Sequence, residues 1–193
     1  MKAEELEQEV KGNLFRSYRR YLLESFGPEA PAIVAEAMPT SSRGFVLDPP
    51  LSADWFSHEP LLHLQDAIEK TVFGGDAAKF FEMGIKVSGY DLKGPYKLFF
   101  KLATPSFVLT KTNLLYNFYF RRGRFGVIEL HATEKQGLLK LEGGRHPISM
   151  CHHAIGGWLS GALQLSGGRE IDVQHTACQQ LQGDQCHYRV RWR

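Results

Sequence analysis

Residues 125–142 read FGVIELHATEKQGLLKLE, and this stretch decides the fold class. Phe125 to Thr133 and Gln136 to Glu142 are runs of β-branched and apolar residues on either side of a short polar break. They predict two strands joined as a hairpin. Downstream, Pro147 to Leu165 predicts one helix, with Gly167-Gly168 at its C-terminal end. Glu170 to His175 and Cys186 to Trp192 alternate in the manner of strands, around a polar turn containing Gly183-Asp184.

Upstream the period changes. Leu6, Val10, Leu14, Tyr18, Tyr21, Leu22 and Phe26 recur at three and four, the stripe of an amphipathic helix, and Gly27-Pro28 stops it. A short helix is expected over Ala30 to Ala37. Met38 to Pro60, rich in proline, serine and glycine, reads as an irregular connection with one extended piece at Phe45 to Leu47. Leu61, Leu64, Ile68 and Val72 mark a helix ended by Gly74-Gly75, with Asp76 as an N-cap of the next, which carries Phe80, Phe81 and Ile85. Pro95 and Pro105 are placed to start two more. The order is helices, a hairpin, a helix and a second hairpin. It implies one α+β domain over 1–193, with a helical first half (1–122) packed on a mainly antiparallel sheet formed from 123–193.

Composition excludes several classes. The 193 residues carry 23 basic and 21 acidic side chains and are 43% hydrophobic, too apolar and too evenly charged for a disordered chain. A net charge of +2 lacks the basic excess of a non-specific nucleic-acid binder. The clusters Arg16, Arg19, Arg20 and Arg121, Arg122, Arg124 read as solvated surface. No apolar run approaches the ~20 residues of a membrane span, and no signal segment opens the chain, so a cytoplasmic protein is expected. There is no Gly-rich phosphate loop, no G-x-G-x-x-G, no G-x-S-x-G and no H-E-x-x-H.

The remaining chemistry is in the cysteines. Cys151, Cys178 and Cys186 are the chain's three. Cys178 and Cys186 flank the Gly183-Asp184 turn, His175 ends the strand before it, and Cys151 lies near the start of the preceding helix. Three sulfurs and an imidazole make a tetrahedral structural zinc set. Two other readings stay open: three small buried thiols, and a Cys178–Cys186 disulfide or redox pair. His152 and His153 follow Cys151 directly, and either is an alternative fourth ligand to His175. His131 and His187 carry no assignment.

The run CHHAIGGWLSG (151–161), then His175-x-x-Cys178, then GDQCHYRV (183–190), resembles the 4-vinyl reductase domain family. That family includes the sensor domains of phenol- and xylene-responsive activators and, more distantly, TRAPP transport-complex subunits and haem NO-binding domains. The match covers the last 45 or so residues. The resemblance implies a compact ligand-binding fold, usually dimeric. In the aromatic sensors three cysteines and the glutamate of E-x-x-C hold zinc. Carried over by position, the ligands are Cys151, His175, Cys178 and Cys186, with His175 where the family has glutamate. The Gly183-to-Cys186 gap is one residue shorter than the family's G-D-x-x-C. The Y-x-S-x-R clamp of the haem NO-binding domains is missing.

The expected function is therefore a non-catalytic sensory module with a structural zinc ion, no haem and no nucleotide. It would bind a small apolar or aromatic molecule along residues 96–120 and 155–163, form a homodimer, and signal through a partner protein. A TRAPP-like dimeric scaffold is the alternative. A tetrapyrrole vinyl reductase is weaker still, because no residues are placed for hydride or proton transfer.

Overall fold

The computed structural model describes residues 8–92, 97–144, 146–181 and 185–193. The expected helix start near Pro95 and the Gly183-Asp184 turn lie outside the described residues. The chain forms two compact units, residues 1–76 with 118–122, and residues 77–117 with 123–193.

In the first unit a short strand β1 (Glu9–Lys11) leads into helix α1 (Gly12–Phe26). Leu14, Tyr18, Tyr21 and Leu22 are buried along one side of α1, as their spacing requires. The helix ends where Gly27 takes a φ of 91°, a conformation open to glycine and costly for other residues. Helices α2 (Ala30–Glu36), α3 (Gly44–Leu47) and α4 (Glu59–Thr71) follow, with strand β2 (Trp55–Ser57) before α4.

Three local features differ from expectation. Val10 belongs to β1, not to the helix, and pairs antiparallel with Phe56 of β2. The strands β1 and β2 are three residues each, too short for alternation to reveal them. Phe45 to Leu47 is a helical turn rather than an extended piece, closed by Leu47 N to Arg43 O at 3.2 Å and Asp48 N to Gly44 O at 3.0 Å.

The second unit holds the helices α5 (Lys79–Leu92), α6 (Lys97–Leu102), α7 (Pro105–Thr110) and α8 (Thr112–Asn117), then β3 (Arg124–His131) and β4 (Gln136–Glu142). Thr104 caps α7 by accepting from Phe107 N at 3.3 Å. A π-helical turn, Met150–Ala154, opens helix α9 (Ile155–Leu165), and β5 (Asp172–Ala177) and β6 (Gln185–Arg191) close the chain. All strand pairs in this sheet are antiparallel, in the order β3-β4-β6-β5. The β4 positions Gly137, Leu139 and Leu141 and the β6 positions Cys186, Tyr188 and Val190 alternate into the core. Ile155, Leu159, Ala162 and Leu163 of α9 are buried, so the face expected to line a ligand pocket is part of this unit's core. Among the described residues no helix is long and apolar enough to cross a membrane.

Candidate functional site

The C-terminal hairpin β5–β6 and the π-helical turn bring the expected residues together. Cys186 lies on β6 opposite Leu141 of β4 and is fully buried. His175 on β5 stands opposite Tyr188, so its ring is on the same face of the sheet, 4.8 Å from the Tyr188 ring. The register shifts between His175 and Ala177, a bulge that ends regular pairing just before Cys178. Cys151 sits in the π-helical turn, also fully buried, with its amide bonded to Pro147 O at 3.0 Å. A π-bulge inserts an extra residue into a turn and re-aims the side chains it carries. Here those residues include Cys151 and His152.

His152 joins the group. Its ring centroid is 4.4 Å from that of His175. The ligand atoms of His152, His175 and Cys178 all lie within 4.8 Å of one another. The Nε2 atoms of His152 and His175 are buried with no hydrogen-bond partner among the described residues. His153 lies outside this group, its ring 6.1 Å from that of His152.

Backbone amides surround the sulfurs. Gln179 N donates to Cys186 Sγ at 3.5 Å, and Gln180 N to Cys178 Sγ at 3.4 Å. The side chain of Gln180 donates to His146 O at 2.9 Å, and that of Gln179 to Gly144 O. These bonds tie the segment after β5 to the segment before the π-helical turn. His146 is held in turn by Tyr116, whose hydroxyl is 2.7 Å from His146 Nε2. Sequence reasoning missed the two glutamines and Tyr188. The glutamines act through backbone amides to the sulfurs and through side-chain amides to distant carbonyls, contacts that no local spacing in the sequence announces.

Charge is distributed unevenly among the thiols. The hydrogen bond from the Cys151 thiol, with His175 as a further stabilising neighbour, pulls Cys186 down to about 4 against the opposing effect of burial. The same bond and burial push Cys151 well above the ordinary thiol range. Burial raises Cys178. Burial and the neighbouring His175 lower His152, which keeps its imidazole neutral and its lone pair free. His152, His175 and Cys178, with the Cys186 and Cys151 sulfurs adjoining, offer donors suited to a soft or borderline cation.

No family model matches the chain, and no curated protein matches it. Solved structures do. The chain is similar to an H-NOX (haem NO-binding) protein from S. oneidensis in its Fe(II)NO state, with 13% identity and a TM-score of 0.70 over 95% of this chain and 99% of that one. An oxygen-binding H-NOX domain related to soluble guanylate cyclases, in its oxygen complex, matches at 12% identity and a TM-score of 0.67, over 95% of both chains. A structure on the modulation of haem redox potential by porphyrin distortion matches at 12% and 0.66, over 94% of this chain and 99% of that one.

Two expectations are corrected by these likenesses. The fold is that of H-NOX domains, helix-rich with a small antiparallel sheet, rather than the TRAPP or 4-vinyl-reductase fold; the α+β class itself stands. The motifs behind the earlier resemblance occupy only the C-terminal part, whereas the H-NOX likeness runs through the helices as well. The expected cofactor inventory, zinc without haem, does not stand either, because the fold is one whose neighbours are haem domains.

The Cys–His cluster nevertheless fits a bare ion and not a porphyrin. A macrocycle needs open space around the iron, with axial donors on its two faces, while these donors converge directly on one another.

Proposed function

We propose that this chain is a sensory domain that binds a small molecule, and that its Cys–His cluster holds a metal ion fastening the C-terminal hairpin to α9. The fold likeness supports the first part, since its neighbours carry NO or O2 in the structures described above. The second part is carried by one observation: His152 of the π-helical turn, His175 of β5 and Cys178 just after it bring their ligand atoms within 4.8 Å of one another, and Cys186 of β6 lies beside His175. The role is structural and sensory rather than catalytic, and its signal passes to a partner protein. Holding these donors together, with both imidazole Nε2 atoms buried and unpartnered among the described residues, costs free energy unless a cation satisfies them.

Metal analysis of the dialysed protein tests the ion. One equivalent is expected, and Cys178→Ser should lose it and melt at a lower temperature. No bound metal, or a Cys178→Ser variant with unchanged metal and melting, overturns the metal reading. Titration with hemin decides the class of small molecule. A sharp Soret band saturating at one equivalent assigns haem, and the broad spectrum of free hemin assigns another ligand.

A further inference from the structure

We infer that the outer face of α6, α7 and α8 docks on an anionic lipid surface. Its exposed leucines and Phe107 enter the acyl boundary, and its lysines meet the charged headgroups. The inference goes beyond the small-molecule and metal readings above and depends on neither.

Charge is segregated along the sequence. Between Asp91 and Glu129 there is no acidic residue, and there are seven basic ones. The chain as a whole is only +2, so the rest of it is net acidic. Such asymmetry within one chain points to a charged surface as partner. Lys97 and Lys101 belong to α6, and Lys111 stands at the junction of α7 and α8.

Apolar exposure falls in the same place. The three most exposed large apolar side chains among the described residues are Leu102 (76%), Leu114 (69%) and Leu98 (68%). One exposed leucine needs no explanation; three on neighbouring helices, with Phe107 nearly half exposed, do. Helices α7 and α8 run almost end to end, because Leu115 N donates to Lys111 O at 3.0 Å across their junction. Val108, Thr112, Leu115 and Tyr116 form the buried side. Phe107, Thr110, Leu114 and Asn117 are exposed at spacings of three, four and three, which is one stripe of a helix. Lys111 lies along that stripe, its Nζ 5.3 Å from the Phe107 ring centroid. Leu98 and Leu102 are four apart on α6 and share a side of it.

Charge complementarity selects the occupant. A second copy would set lysine against lysine, with no carboxylate from this segment to offset them. An acidic protein partner would need a groove or a continuous apolar seam to seat its own side chains. Here Lys111 comes between Phe107 and Leu114. A headgroup layer accepts that interleaving. Leucine and phenylalanine sink to the acyl boundary, lysine stems lie along it, and the ammonium groups reach the anionic headgroups.

Cosedimentation of the full chain with vesicles tests the docking. Vesicles of phosphatidylcholine mixed with phosphatidylserine should bind the protein at least about tenfold more tightly than phosphatidylcholine alone, and raising the salt should erase the difference. The double variant Leu102→Ser/Leu114→Ser should weaken binding to the mixed vesicles by about tenfold or more. Both leucines are exposed, so its Tm should match that of the unaltered protein. Lys111→Glu should weaken binding at low salt and leave Tm in place. No binding to the mixed vesicles overturns the proposal, and so does equal binding to both kinds. Full binding by the double variant overturns it too, by placing the contact on another face. Analytical ultracentrifugation covers the remaining occupant: a dimer that the double variant dissociates, without vesicle binding, assigns the face to a second copy and overturns the lipid assignment.

Discussion

The hydroxyl of Tyr188 donates to the backbone carbonyl of Cys151 across 2.8 Å, joining β6 to the π-helical turn inside the core. The ring is fully buried, edge-on to Phe125 and tilted against His175. Burial holds the phenol well above its ordinary pKa, so it remains a donor throughout the working pH range. Tyr188→Phe keeps the ring and removes only the bond, leaving a buried carbonyl one partner short. The expected cost is about 1–3 kcal/mol, read as a lower urea midpoint with an unchanged slope. An unchanged midpoint would mean that the turn is held by its other contacts.

Helices α5 and α9 touch backbone to backbone. A Cβ added at Gly157 would collide with the Phe81 carbonyl, and one added at Gly84 would collide with the Ala154 carbonyl and lie 2.7 Å from Trp158 N. Neither obstacle is a flexible side chain that can turn away. Gly157→Ala must therefore push the helices apart, at about 1–3 kcal/mol. For a chain of this length that is a fall in Tm of roughly 3–10 °C. Gly156→Ala is the control: its Cβ would meet its nearest atom, Phe81 Cε2, at 3.5 Å, an ordinary contact, and Tm should change little.

That contrast shows what the sequence could and could not reveal. Gly156-Gly157 is visible as a small-residue pair favouring close packing, but only the α5 backbone decides which of the two is indispensable. The β3–β4 hairpin and β6 were legible because the alternation of Leu139, Leu141, Cys186, Tyr188 and Val190 is a period-two signal on a half-buried sheet. Cys178, Cys186 and His175 were legible as one cluster because a hairpin brings its two ends together. His152 was harder to place. In a regular α-helix adjacent residues point about 100° apart, so Cys151 and His152 should not face one centre. The π-helical turn changes that spacing, and nothing in CHHA signals it. The fold family was misjudged for a related reason: the decisive similarity lies in the arrangement of helices, at 12–13% identity, where no motif survives to be read.

Acid should loosen the first unit before it affects the sheet. His58 is buried edge-on to Phe120, and desolvation lowers its pKa from 6.5 to about 4. A histidine with a depressed folded pKa is neutral when folded and protonates more readily when unfolded. Its contribution is fully present above about pH 6.5 and is lost progressively as pH falls from there to about 4. The shift corresponds to about 3 kcal/mol between those limits. Urea midpoints measured at pH 7 and pH 4.5 should differ accordingly. His58→Phe should flatten that slope, and an equally steep slope in the variant would place the sensitivity elsewhere.

The thiols make a further pH signature in the ion-free protein. Cys186 is held at about 4, chiefly by the Cys151 thiol, while Cys151 and Cys178 are both raised. One cysteine in three should therefore be a thiolate at pH 7, and its ultraviolet absorbance should persist on acidification until about pH 4. Circular dichroism followed in parallel separates this titration from the acid loosening at His58. Cys151→Ala removes the largest stabilising contact and leaves burial, which opposes ionisation, so the Cys186 transition should move upward by more than one pH unit. Cys151→Ser retains an O–H donor at the same place and should restore most of the depression. A transition unmoved in Cys151→Ala would show that His175 and the Gln179 amide, not the Cys151 thiol, hold the charge on Cys186.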